Sequence, residues 1–535
     1  MNALRLVAFR LRRERVILPV WFAGIAVLVL ASGVAIDREF GGPEERTALA
    51  ALAAGNPAFL FLRGAPDGAD VGALLFFQTS SFLAVLVGLM TTFLVVRHTR
   101  ADEERGRSEL LQATPIGRMG PLASALVVAA SADLAVGVIA ASACLALGLA
   151  VWSSILTGLA LAAVGLAFAG CAALAAQVMP SPRGANGLAA AAVGIAYLVR
   201  GAGDALGTAR DVTHVDPSWV ALLSPIGWAQ ATRPFTSADP LPLLVPLALG
   251  VVTAGAAVAL QARRDLGASL VAERPGRAEW RDAGATRLAL RNQVATTLGW
   301  AVGAAVLGLL AGALAPLIAD VVGANDDLAA LIARLAPDLD VTTSDVFSVA
   351  VLGIAGTLAT AAGVQALTRL RPDEAEGRAE LLLATSLSRA GWFARHVAVA
   401  VGSAVAVALA GGIAAGVGFA ATGGGAERIG TSLTAILVHL PAGLVFLALA
   451  ALAFAVLPRL SVALGWGLLV AGLALGQLGG LLGLPKWLQD VSPLHHVPAV
   501  PIEDVEPVAL AGWAGLAAAV FVVAGLAFRR RDVPA

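Results

Sequence analysis

The chain has 535 residues, of which 58% are hydrophobic and 13% charged, and its mean hydropathy is +0.84. A water-soluble domain of this length does not show that balance, so the sequence describes an integral membrane protein. Lys and Arg total 36, as do Asp and Glu, and the formal net charge of zero gives no overall bias towards nucleic acid or an acidic partner.

A bilayer core about 30 Å thick takes roughly 20 apolar residues of helix to cross, and the chain supplies twelve such runs. The first, near 16–36, follows Arg10, Arg12, Arg13 and Arg15, the layout of a signal peptide. Its apolar part exceeds a typical h-region of roughly 7–15 residues. RRERVILPVW, ending at Trp21, also has a counterpart in RNQVATTLGW, ending at Trp300, so the run is read as a retained membrane helix. Runs near 71–97, 119–145, 152–178, 186–202 and 240–262 follow, the fifth short and Gly-rich. A charged stretch, 263–291, then leads to runs near 294–320, 346–368, 391–420, 431–457, 461–484 and 507–528. The expected fold is all-α, with two homologous six-helix halves, 1–262 and 292–535, joined by a cytoplasmic linker. In the loops after the first run of each half, ERTALAALAAG (45–55) and DDLAALIARLA (326–336) have the spacing of amphipathic helices. The second of these loops carries Asp326, Asp327, Asp338 and Asp340.

The strongest signal follows the second run of each half. RADEERGRSELLQATPIGR, 100–118, recurs as RPDEAEGRAELLLATSLSR, 371–389, with 11 of 19 positions identical at an offset of 271. Asp102, Glu103 and Glu104, like Asp373 and Glu374, put negative charge in what would be the first turn of a helix, where the macrodipole favours it. Leu110 with Leu111, and Leu381 with Leu382, lie near the far end, and Thr114 before Pro115 reads as the start of the next helix. The island is therefore expected to form a short exposed helix showing Glu103, Arg107 and Glu109 on one side, and Glu374, Arg378 and Glu380 in its twin, before the chain re-enters the membrane. Glu103 and Arg107 could also pair one turn apart. With the N-terminus inside, most of the 36 basic residues fall on the cytoplasmic face, as the positive-inside tendency requires, and both termini and both islands are cytoplasmic.

The pattern D-E-x-x-G-R-x-E-L-L-x-A-T, carried twice among twelve spans, resembles the permease subunits of type-two ABC exporters, among them the actinobacterial exporters of polyketide antibiotics. A second segment, LSPIGWAQATRPF (223–235), looks like the outer Ser-Pro-x-Gly-Trp segment of that family. Its partial twin is VSPLHHVPAV (491–500), in which Trp487, Ser492 and Pro493 match Trp219, Ser224 and Pro225. The Gly-Trp pair containing Trp228 and the Arg-Pro-Phe run are missing from the twin, so whatever they do belongs to one half.

The resemblance implies that each island is a coupling helix seated in a separate ATP-hydrolysing subunit, a homodimer with one copy per island. Its docking residues would be Asp102, Glu103, Glu104, Arg107, Glu109 and Leu110, and Asp373, Glu374, Arg378, Glu380 and Leu381. ATP and Mg would sit on that partner. This chain would bind no cofactor and carry no catalytic residue, because its only lysine, Lys486, is not in a P-loop. The cargo would be a hydrophobic or amphipathic compound, of drug or polyketide-antibiotic type, exported across a bacterial plasma membrane, with lipid as the other contact and no nucleic acid.

Other polar residues are weaker signals. Asp133, inside the third run, is a costly intramembrane carboxylate and often such a group is functional. Gln78, Gln365 and Gln477 could line a pathway or pair helices. His214, His495 and His496 lack partners at metal-ligand spacing, and Cys144 and Cys171 lie in apolar runs, so no metal site is expected. The alternative function is a twelve-helix proton-coupled secondary transporter. That family's Gly-Arg motif has Asp three residues before its Gly, whereas Asp102 and Asp373 stand four before Gly106 and Gly377.

Overall fold

The computed structural model describes residues 3–112, 116–265, 267–271, 284–323, 343–423, 425, 427–477, 479 and 484–531. Among these, 11 helices are long and apolar enough to cross a bilayer. Among the described residues regular strand is confined to one pair of two-residue strands. Hydrocarbon offers backbone groups no partners, and a helix satisfies them within one segment. The chain divides into two compact units, Met1–Gly276 and Arg277–Ala535, and the division falls inside the charged stretch 263–291. Residues 272–283 of that stretch, the loop 324–342 with its four Asp and the 326–336 segment, and Thr114–Pro115 lie outside the described residues.

The first unit begins with α1 (Ala3–Arg13), a short helix with Arg10, Arg12 and Arg13 in its last turn. Six long helices follow: α2 (Ile17–Glu39), α5 (Val71–His98), α8 (Gly120–Ala146), α9 (Val151–Val178), α10 (Pro182–Ala205) and α12 (Leu244–Arg263). Between α2 and α5 lie α3 (Pro43–Ala54), which contains most of the segment expected to be helical there, and α4 (Pro57–Arg63). α5 and α9 are the most enclosed, with Leu74, Val87, Val95 and Phe168 buried on them. α10 is longer than the run 186–202 because the Ser181 side chain caps it, accepting from the Gly184 amide at 3.1 Å, with Pro182 at its first position. Near its other end Arg200 and Asp204 pair one turn apart at 3.0 Å, both buried.

The second unit holds α13 (Ala285–Gly323), α14 (Thr343–Thr368), α17 (Arg389–Ala421), α18 (Glu427–Leu437), α19 (His439–Val456), α20 (Ser461–Gly476) and α22 (Pro507–Arg530), with α21 (Lys486–Gln489) before the last. The short helices α15 (Leu370–Ala375) and α16 (Arg378–Leu383) lie between α14 and α17. The run 431–457 is two helices meeting at Val438. Pro441 has no amide proton to donate to the carbonyl of Leu437, four residues earlier, and a proline at that place interrupts the ladder. α20 has 16 residues, or about 24 Å at 1.5 Å per residue, shorter than the span expected over 461–484. Residues 478 and 480–483 lie outside the described residues.

Candidate functional site

The repeated island forms an elbow of two short helices rather than one. In the first unit α5 ends at His98 and is followed by α6 (Arg100–Glu104) and α7 (Arg107–Gln112). Gly106 at φ +67° separates them, and its repeat-mate Gly377 at φ +73° separates α15 from α16. That left-handed conformation costs any residue with a Cβ about 1–2 kcal/mol, which explains a glycine at this place in both copies.

The bend sorts the acidic residues into two groups, and this corrects the expected exposed face. Asp102 is buried, its carboxylate 3.0 Å from Arg13 and 3.4 Å from Arg107. Glu103 also turns inward, where it accepts from Arg100 at 2.8 Å and from Arg264 at 2.6 Å. Arg107 therefore pairs with Asp102 and not with Glu103. Glu104, Arg107, Glu109 and Leu110 stay exposed. In the second unit Asp373 lies 2.9 Å from Arg378, with His396 at 3.7 Å and Arg369 at 3.9 Å. Glu374 is buried against Arg531, while Arg378, Glu380 and Leu381 remain exposed. The two units thus present one motif, a glutamate followed by a leucine that is 74% exposed at Leu110 and 75% at Leu381.

The first elbow rests on groups that sequence reasoning missed. Arg10, 1% exposed, donates to the carbonyls of Pro121 (2.6 Å) and His98 (2.8 Å), joining α1 to the start of α8 and the end of α5. Beside it the buried Glu14 meets Arg97 at 3.2 Å and His98 at 3.0 Å. Burial raises the Glu14 carboxyl above its usual value against the pull of Arg97 and Arg13. The native state then holds a proton that the unfolded chain releases, so stability falls as pH climbs above the ordinary glutamate range. Glu14→Gln is expected to flatten that slope in thermal unfolding of the full chain followed at several pH values.

In each unit the Ser-Pro segment lies at the end away from the elbow, and the two share one construction. Ser224 and Ser492 are buried, and each caps the short helix after it by accepting from Ile226 (3.2 Å) or Leu494 (3.3 Å). Each hydroxyl also donates to a long-helix carbonyl, Ala196 in α10 (2.7 Å) or Gly472 in α20 (2.6 Å). Pro225 starts α11 (Pro225–Gln230), and Pro493 starts a 3-10 turn. Trp219 and Trp487 are about 70% exposed, the placement of interfacial aromatic anchors.

Only the first unit adds the Arg-Pro-Phe run. Arg233 sits at φ +41°, an uncommon conformation for a residue with a Cβ, and donates to Asp216 at 2.7 Å while lying 3.5 Å from Asp67. Phe235 covers Gly72 at the start of α5. Under this staple is a cavity of about 330 Å³ lined by Phe76, Phe77, Asp204, Asp216, Arg233 and Phe235. The antiparallel pair β1 (Thr208–Ala209) and β2 (Val215–Asp216) brings Asp216 there. Trp228 donates to the Leu222 carbonyl at 2.6 Å.

Asp133 is fully buried in α8, accepts from the Thr91 hydroxyl of α5, and lies over Gly165 of α9, where a Cβ would stand 2.4 Å from its Oδ1. Its Oδ2 has no hydrogen-bond partner among the described residues. Gln365 accepts from Trp300 and Gln477 from Thr357, so both link helices, whereas Gln78 lines a smaller cavity with Arg63. His214 pairs with Asp211 at 2.8 Å, and His495 lies 3.5 Å from Asp490. The Asp211 carboxyl is held down to about 2, chiefly by the Thr213 amide and then by His214. Among the described residues no three His, Cys, Asp or Glu are grouped to hold a metal.

Long apolar helices in each unit, with a charged elbow at one end and exposed tryptophans at the other, define a multi-pass membrane protein. The comparisons agree. The chain is 34% identical over 540 residues to the "Multidrug efflux system permease protein Rv1217c" of Mycobacterium tuberculosis, covering 99% of this chain and 95% of that protein. The family described as "Multidrug efflux system permease Rv1217c, C-terminal domain" matches residues 283–529. The chain belongs to this family of multidrug efflux permeases and is a transport subunit.

Proposed function

We propose that the chain is the membrane subunit of an ATP-driven exporter, powered by a separate ATPase that docks on the two elbows. The reading rests on the doubled exposed pair, Glu109–Leu110 and Glu380–Leu381, each presented on a helix that follows a left-handed glycine. A solvated elbow has no use for a leucine three-quarters exposed, and burying one such side chain contributes about 1.5–3 kcal/mol. An ATPase homodimer supplies two equal receptors for two equal contacts. The chain carries no P-loop lysine of its own, since Lys486 is its only lysine. ATP and Mg therefore belong to the partner. The cargo is a hydrophobic or amphipathic compound of drug or polyketide-antibiotic type, and the elbows and both termini face the cytoplasm.

Purification of the tagged full chain from its native membrane is expected to bring down a P-loop protein in a two-to-one ratio. Efflux from vesicles holding this chain as their only protein would overturn the reading. The second reading, proton-coupled transport, draws on Asp133 and its unpartnered oxygen. Asp133→Asn is expected to leave dye efflux within about twofold of the parent; loss of efflux with an unchanged amount of folded protein would favour that second reading.

A further inference from the structure

We propose that Arg264 and Arg531 are positioning residues that tie each elbow to the end of the last long helix of its own unit. Displacement of the elbow is thereby passed to α12 in one unit and α22 in the other. The role in transport rests on the docking reading above; the tie itself does not.

Arg264 directly follows α12. Its guanidinium donates to Glu103 Oε1 at 2.6 Å, to the Gln177 side chain at the end of α9, and to the Ala268 carbonyl. Its main-chain carbonyl accepts from Arg118. Glu103 and Arg118 lie near the two ends of the repeated 19-residue island, so the island grips one residue from both sides, by its side chain and by its backbone. Around this grip Arg100 donates to the Pro180 carbonyl at 2.6 Å and to Gly267 at 3.0 Å, and Gln261 of α12 donates to the Arg118 carbonyl at 3.1 Å.

The second unit repeats the grip. Arg531 directly follows α22, its guanidinium donates to Glu374, and its carbonyl accepts from Arg389 at 3.1 Å. It also donates to the Phe454 carbonyl near the end of α19 at 2.7 Å. Glu374 and Arg389 stand 271 residues after Glu103 and Arg118, whereas Arg531 stands 267 after Arg264, outside the register of the repeat. The same contact thus forms twice from residues that no shared spacing aligns.

The side chains are shielded, at 10% and 8% exposure for Arg264 and Glu103 and 15% and 3% for Arg531 and Glu374, where a charged pair is screened less than at the surface. A guanidinium holding several acceptors at once fixes orientation as well as distance. Docking gives no reason for the last residue of the island to be arginine in both copies; the grip on the Arg264 and Arg531 carbonyls does.

Charge exchange in the full chain, in its native host with its partner subunits present, tests the tie. Glu103→Arg and Arg264→Glu, each alone, are expected to lower dye efflux about tenfold, and together to restore at least half of it. Glu374→Arg with Arg531→Glu should behave alike. Arg264→Lys keeps the charge but loses the fork and is expected to cost about threefold. In purified protein, Glu103→Gln should speed hydrogen exchange across 258–265 and leave the middle of α2 unchanged. Exchanged pairs no better than the single variants, single variants at full efflux, or unaltered exchange over 258–265 would each overturn the proposal. If reversing Glu109 and Glu380 left efflux intact while the exchanged pairs still restored it, docking would fall and the tie would stand.

Discussion

Glu109→Arg combined with Glu380→Arg is expected to cut efflux by about a hundredfold while the protein still reaches the membrane in normal amount. Both glutamates are exposed and make no ion pair among the described contacts, so reversing them costs the fold within about 0.5 kcal/mol. If each is a docking contact, the loss is instead counted at the partner, where a central contact contributes roughly 2 kcal/mol or more. A factor of ten per 1.4 kcal/mol then gives at least tenfold at each of two sites. The single variants separate the elbows: about tenfold for each means that both are engaged, and silence of one means that a single elbow carries the coupling. Full efflux in the double variant, measured by dye retention at matched membrane abundance, would remove the docking surface from the account.

Arg10→Ala has the second large effect, and it falls on stability. Arg10 is buried with its charge and supplies the hydrogen bonds of two carbonyls from helices remote in sequence. Burial pushes its pKa down to about 10, which still leaves it charged at neutral pH. Truncation removes both donors and leaves Asp102 short of a neighbouring positive charge. Losing one member of such a buried set costs about 3–5 kcal/mol. In a unit of this size that lowers the thermal midpoint by roughly 10 °C. Arg10→Lys, which keeps the charge on a single nitrogen, should lose less. A midpoint within about 2 °C of the parent for Arg10→Ala would show that the α1 contact is dispensable.

The membrane helices were legible because hydrocarbon admits only long apolar helix, so α5 and α9 begin and end within a residue of their expected limits. The island was legible because it is written twice. Which of its acids point outward was not: helical spacing carries a face around a continuous helix, and the left-handed Gly106 resets that count, sending Glu103 inward and leaving Glu109 out. The grip on Arg264 and Arg531 escaped because its two halves sit at different offsets, although each arginine closely follows the last apolar run of its unit, a signal that was available. α1 escaped for another reason. Its arginines read as a cytoplasmic flank, which hid a helix whose Leu6 and Arg10 are both buried. The break at Pro441 was readable but lost in the apolar surroundings.

The staple of Arg233 and Phe235 has no counterpart in the segment around Ser492, while both elbows keep the left-handed glycine and the exposed Glu-Leu pair. Two identical subunits would have to repeat the strained arginine and its cavity in both members or omit it from both. A tandem polypeptide escapes that rule: it can keep matching elbows in both units and let the opposite ends diverge, so that mutation specialises a single cavity without altering its twin.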